Sequence, residues 1–113
     1  MKKYEMVKSH EDFNKIIQQG KKVSNKYFNI FSLPNNNKPN HYGIAVGKKI
    51  GNAVQRNKWK RRIRMLLDRY KLLFEKSNNY IIMIKKECLD ISFMDLEKSF
   101  LNLIRKEQNE QKK

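Results

Sequence analysis

The chain has 113 residues, enough for one domain with a single modest core and too few for two. Its 26 Lys and Arg against 11 Asp and Glu leave a net charge of +15, so a polyanion is the natural partner and nucleic acid the leading candidate. No apolar run approaches the roughly eighteen residues of a membrane-spanning helix, and one cysteine, Cys88, excludes an internal disulfide.

Residues 1–8 are basic and read as loose, with charges where a signal peptide needs its apolar centre, so a cytoplasmic protein without membrane contact is expected. Ser9 and Asp12 have capping-box spacing and Gly20 closes the helix they open, with Phe13, Ile16 and Ile17 on its apolar face. Over residues 26–33 the period becomes two, Tyr27, Asn29 and Phe31 alternating with Phe28, Ile30 and Ser32 as in a strand. Val23 and Ser24 add a short strand before it. Two prolines and a run of Asn at 34–41 predict a loop joining antiparallel strands, the second strand covering 42–48. A long helix over 52–74 follows, then a buried central strand at 80–85. Ser92 and Asp95 repeat the capping-box spacing ahead of a helix carrying Phe93, Leu96, Phe100, Leu103 and Ile104. Its end, with Glu107 and Glu110, is expected to fray and residues 108–113 to be flexible. The order αββ(β)αβα implies a single α+β domain over 1–113, a two-layer sandwich with a small, mostly antiparallel sheet. A crossover from the second long strand through the basic helix to the last strand would by default be right-handed.

Residues 48–64, KKIGNAVQRNKWKRRIR, hold eight Lys or Arg in seventeen positions and no acid. Gly51 and Asn52 break the run where a loop enters the helix. Trp59, Ile63, Leu66, Leu67 and Tyr70 form an apolar stripe, bordered by Arg56, Lys60 and Arg64 on one side and by Lys58 and Arg62 on the other. A solvated helix face ordinarily mixes signs, whereas like charges stacked at four-residue spacing repel until something anionic arrives. Phosphate contact is therefore favoured over a merely solvated face, and Trp59 goes to the core.

Between Asp12 and Asp68 there is no carboxylate, so this chain lacks the converging acids that hold divalent ions in protein nucleases. His10 falls in a capping sequence, His41 in a turn, and Cys88 reads as a packing residue. No catalytic residue and no metal ligand is assigned to the protein. The aromatic residues leave two readings open, with Phe13 and Phe31 either in the core or on the walls of a cleft between the first helix and the sheet. A cleft with aromatic walls and a cationic edge would suit single-stranded nucleic acid.

The basic stretch resembles the protein subunit of bacterial ribonuclease P, whose signature runs Lys-Lys-Ile-Gly-Asn-Ala-Val into Arg-Asn-Arg, then Lys-Arg and a further Arg. Here these are residues 48–54, Arg56, Asn57, Lys58, Lys60, Arg61 and Arg64. GIAV before the motif, EDF at 11–13, Gly20, the aromatic strand and YIIMI at 80–84 fall in the family's order. Lys58 departs from the family's Arg, keeping the charge but losing the guanidinium fork. Arg62 replaces a more usual apolar residue. The resemblance implies a subunit of an endoribonuclease whose catalyst is its RNA, with Mg2+ held mainly by that RNA, and a left-handed crossover in place of the default hand. It implies as partners the catalytic RNA subunit and precursor tRNA, whose 5′ leader is removed, with no protein partner required. Lys48, Lys49, Asn52, Arg56, Asn57, Lys58, Arg61 and Arg62 are then expected on the RNA-subunit surface. Phe13, Ile17, Asn29 and Phe31 are expected to line the leader cleft, with Lys60 and Arg64 on its edge. The alternative reading is a structural RNA-binding protein such as a ribosomal component, which would need the basic surface but no aromatic cleft.

Overall fold

A computed structural model of the chain describes residues 2–111, with side chains as far as Gln108. Helix α1 (His10–Gln19) begins where Ser9 Oγ accepts the Asp12 amide at 3.1 Å. It ends at Gly20, whose φ of −75° any residue adopts; the need for glycine there is one of space. A Cβ would stand 2.5 Å from the Ile16 carbonyl oxygen and 2.6 Å from that of Ser32.

Strands β1 (Lys21–Ser24), β2 (Phe28–Pro34), β3 (His41–Ala45) and β4 (Asn78–Ile84) form one sheet in the order β1-β2-β4-β3. β1 and β4 pair antiparallel with β2, and β3 pairs parallel with β4. β4 sits in the interior because Tyr80, Ile81 and Ile82 are consecutive and all buried, which requires cover on both faces. The loop at 34–41 therefore joins strands that run in opposite directions with β4 between them. Asn36 and Asn37 take left-handed φ values of 60° and 65°, which Asn tolerates. Asn35 Nδ2 donates to Asn79 Oδ1 at 3.0 Å and Asn40 Oδ1 accepts the Asn78 amide at 2.9 Å, so β4 starts two residues before the predicted point.

Alternation along the strands divides the apolar residues between two faces. Val23, Phe28, Ile30, Tyr42, Tyr80, Ile82 and Ile84 face helices α2 (Ala53–Tyr70) and α3 (Phe93–Gln111), meeting Trp59, Ile63, Leu66, Leu67, Leu96, Phe100, Leu103 and Ile104. Phe31 and Ile81 point the other way, under Ile16 of α1, with Phe13, Ile17, Leu33, Ala45 and Met83 around them. α2 ends at Tyr70 and not at 74: Lys71–Leu73 tighten into a 3-10 turn that drops Phe74 into the core beside Tyr42 and Tyr80. α2 is the crossover between the parallel pair β3 and β4.

Both ends carry regular structure. Lys3–Glu5 form a 3-10 turn, Met6 bridges to Tyr42, and the Val7 amide donates to the Tyr42 carbonyl at 2.9 Å. α3 runs on to Gln111, and Glu107 is only 2% exposed. The last two positions of the predicted flexible tail, Lys112 and Lys113, lie outside the described residues. Among the described residues, no helix is long and apolar enough to cross a membrane.

The space argument at the end of α1 is testable. Gly20→Ala should destabilise the domain by about 1–3 kcal/mol, because two backbone carbonyls must give way for one methyl. A urea midpoint unchanged from that of the parent would show that the helix end relaxes freely.

Candidate nucleic-acid interface

The entry to α2 explains how a helix so rich in like charge begins where it does. Gly51 has a φ of 148°, a conformation open to glycine and strained for other residues. Asn52 then caps the helix, its Oδ1 accepting the Gln55 amide at 3.0 Å while Gln55 Oε1 accepts the Asn52 amide at 3.2 Å. The first turn carries no acid, so the positive end of the helix dipole adds to the side-chain charge.

Burial of Trp59, Ile63, Leu66 and Leu67 sets the rotation of α2. Lys58, Lys60, Arg61, Arg64 and Asn57 consequently stand exposed, as do Lys48 and Lys49 on the 3-10 turn before the helix. Arg62 is half-buried with its guanidinium carbon 4.9 Å from the centre of the Trp59 ring, so its charge sits over an aromatic face. Arg56 is half-buried as well, and its Nε is enclosed with no hydrogen-bond partner among the described residues. None of the eight cations of 48–64 forms an ion pair among the described residues. By contrast Arg69, just beyond them, pairs with Glu97, and Lys71 with Glu5 and Asp68.

Beside this helix a cleft of about 1410 Å³ opens over the β3 edge of the sheet. Its walls are residues 7–10 and Phe13 on one side, 44–50 and Lys60 on another, and 83–87 at the end of β4. The floor is apolar, from Val7, Phe13, Ala45 and Met83, while the rest of the lining carries Lys8, Lys48, Lys49, Lys60, Lys85 and Lys86 and a single carboxylate, Glu87; of these lysines Lys85 is engaged, its Nζ donating to the Asn25 carbonyl at 2.7 Å. Gly43 makes the floor possible. A Cβ there would meet Ile81 Cδ1 at 2.5 Å and Phe13 Cε2 at 2.9 Å, so the missing side chain lets the Phe13 ring lie on β3.

The predicted residues divide accordingly. Phe13, Lys60, Lys48 and Lys49 line the cleft. Phe31 does not: it is 8% exposed, packed with Ile16 and Ile81 beneath α1, and Ile17 supports that same small core. Asn29 pairs with Met83 one strand further in, its Nδ2 lying 3.9 Å from Met83 Sδ and its buried Oδ1 without a partner among the described residues. Arg64 is exposed one turn beyond Lys60, outside the walls. Asn52 is engaged as a cap. Insertion of β4 moves the opening from β2 toward β3, which the pattern of β2 alone does not disclose. Residues 7–10 and the lysines of IKKE at 84–87 are walls that periodicity gave no reason to join to this site.

The chemistry on offer is binding. Among the described residues no three or more His, Cys, Asp or Glu side chains gather as a metal cage. Cys88 is buried, its thiol directed at the Tyr27 carbonyl at 3.1 Å, and burial pushes its pKa up to about 11. It is a protonated packing residue at neutral pH. Cys88 should accordingly resist a thiol-labelling reagent at pH 7–9 and react at the rate of unfolding; rapid labelling of the folded protein would mean that the site opens.

Fold and surface together define a class: a small α+β protein that buries one stripe of a basic helix and leaves the rest, with a lysine-rimmed cleft, to a polyanion. A family model for ribonuclease P matches residues 1–108. The chain is 33% identical to a ribonuclease P protein component of Bacillus cereus over 107 residues, 94% of this chain and 93% of that one. Among solved structures it is similar to a ribonuclease P protein of Staphylococcus aureus (28% identity, 89% of this chain and 93% of that one, TM-score 0.80). It is also similar to one of Thermotoga maritima (29% identity, 90% and 96%, TM-score 0.79). The chain belongs to the family of ribonuclease P protein components.

Proposed function

We propose that this protein binds the catalytic RNA subunit of ribonuclease P along α2 and receives the 5′ leader of precursor tRNA in the basic cleft, within the cytoplasm. The observation that carries the reading is the juxtaposition of a cleft lined by six lysines and one carboxylate with the stretch 48–64, whose eight cations form no ion pair among the described residues. Phosphates follow such charge, while unstacked bases rest on apolar and aromatic surfaces such as Phe13 and Met83. Asn57, Lys58 and Arg61 form the centre of the RNA-subunit surface, with Arg56 and Arg62 at its borders and Lys48, Lys49 and the Asn52 cap where it meets the cleft. Lys60 marks the cleft's edge and Arg64 extends the charged track beyond it. Phe31 and Ile17 act from beneath, by holding α1 in place, and Asn29 lies behind the Met83 wall.

In this reading the protein positions and screens, and those terms accelerate a reaction without any catalytic side chain. Mg2+ in this reading is held mainly by the phosphates of the RNA. The protein, added to a cognate catalytic RNA, should restore cleavage of precursor tRNA at low magnesium while cleaving nothing by itself. Tight RNA binding without such restoration would favour a purely structural RNA-binding role.

Affinity for the RNA subunit should fall steeply with salt, by roughly 0.7 to 0.9 logarithmic units per logarithmic unit of salt for each phosphate contact. Arg61→Ala should weaken binding and make the slope shallower by about one contact, since Arg61 is exposed and forms no ion pair among the described residues. An unchanged slope would remove Arg61 from the interface.

A further inference from the structure

Residues 6–9 carry part of the cleft lining, Val7 and Lys8, yet they have little of their own to hold them in place. Val7 is the one apolar anchor in the small core, while Lys2, Lys3 and Lys8 are repelled by a domain of net charge +15. Glu5 is the only carboxylate in the first ten residues. Its two oxygens stand 2.8 and 3.1 Å from Lys71 Nζ, just past the end of α2, and Oε1 also accepts the Lys2 amide at 3.1 Å. Tyr42 ties the same two pieces together: its carbonyl accepts the Val7 amide at 2.9 Å and its hydroxyl donates to the Lys71 carbonyl at 3.3 Å.

We propose that the Glu5–Lys71 pair is a latch that holds residues 6–9 along the edge of β3 as a wall of the cleft, which makes Glu5 a positioning residue for the leader strand. The inference rests on the leader reading above. Within it, a carboxylate on an RNA-binding protein strengthens binding, the reverse of what its charge alone would do. Glu5 touches no RNA. It acts through Lys71, by cancelling the repulsion that would lift the segment and by keeping the Val7–Tyr42 hydrogen bond closed. Lys71 likewise has its charge consumed inside the protein, unlike the cations of 48–64.

The test uses holoenzyme reconstituted with the full chain and two substrates, precursor tRNA with a long leader and one with its leader trimmed short of the cleft. Glu5→Gln removes a negative charge, so a merely electrostatic role would tighten binding of both. Loss of the latch should instead weaken long-leader binding by about two- to fivefold, the range an ion pair at the protein surface can deliver. The trimmed substrate and the RNA subunit should bind as tightly as before or slightly better. Glu5→Lys alone should behave like Glu5→Gln, and Glu5→Lys combined with Lys71→Glu should recover most of the loss at unchanged net charge. Hydrogen exchange at the Val7 amide should quicken in the single variants and slow again in the swap. A parent holoenzyme that does not distinguish the two substrates overturns the leader reading. A parent that does distinguish them, with Glu5→Gln matching it or binding more tightly, overturns the latch alone, as does a swap that fails to recover.

Discussion

Everything on this surface depends on the burial of one stripe of α2. Trp59, Ile63, Leu66 and Leu67 enter the core against β3, β4 and α3, and removing any of them from water contributes about 1.5–3 kcal/mol. That is enough to fix the helix rotation against the mutual repulsion of the cations on its other sides, each pair of which costs a few tenths of a kcal/mol. Packing thus does the positioning and electrostatics does the recognition, on the same eighteen residues. The stacking of Arg62 on Trp59 shows the two meeting at the boundary, a charge lying on the rim of the core.

Sheet order turns that helix into one side of a cleft. With β4 in the interior, β3 becomes an edge, and α2 leaves that edge through the turn at Lys48–Ile50. α1 crosses the opposite face, and Gly43 lets its Phe13 ring settle directly on β3. The concavity is what the three pieces leave uncovered. An exposed edge strand is ordinarily a hazard for unwanted pairing; here the bridge from Met6 to Tyr42 partly closes it with the chain's own N-terminal segment.

Much of this was legible in the residues because local signals and the fold agree. Ser9, Asn52 and Ser92 cap the helices they precede, the period-two pattern of β2 survives as a division of its side chains between two faces of the sheet, and the acid-free span marks the charged surface. What was not legible depends on strand order and long-range partners. Phe31 has the alternation of a cleft residue, but its strand lies inside β4, so α1 covers it. The placement of residues 3–8 rests on Tyr42 and Lys71, far along the chain, and Glu107 looks like part of a solvent-exposed tail until α3 folds back over the sheet. The glycine closing α1 was found for its place and not for its cause, since crowding from Ser32 is a tertiary fact.

The unpaired cations of 48–64 also bear on the free protein. Eight like charges gathered in seventeen residues, with no ion pair to any of them among the described residues, repel one another, and an anion that settled there would relieve the repulsion. Folding and binding are therefore linked: a ligand at a hundred times its dissociation constant stabilises the folded state by about 2.7 kcal/mol. For a domain of this size that is a substantial share of the whole stability. An anion that bound this surface would accordingly raise the stability of the folded domain at the same time as it competed for the site.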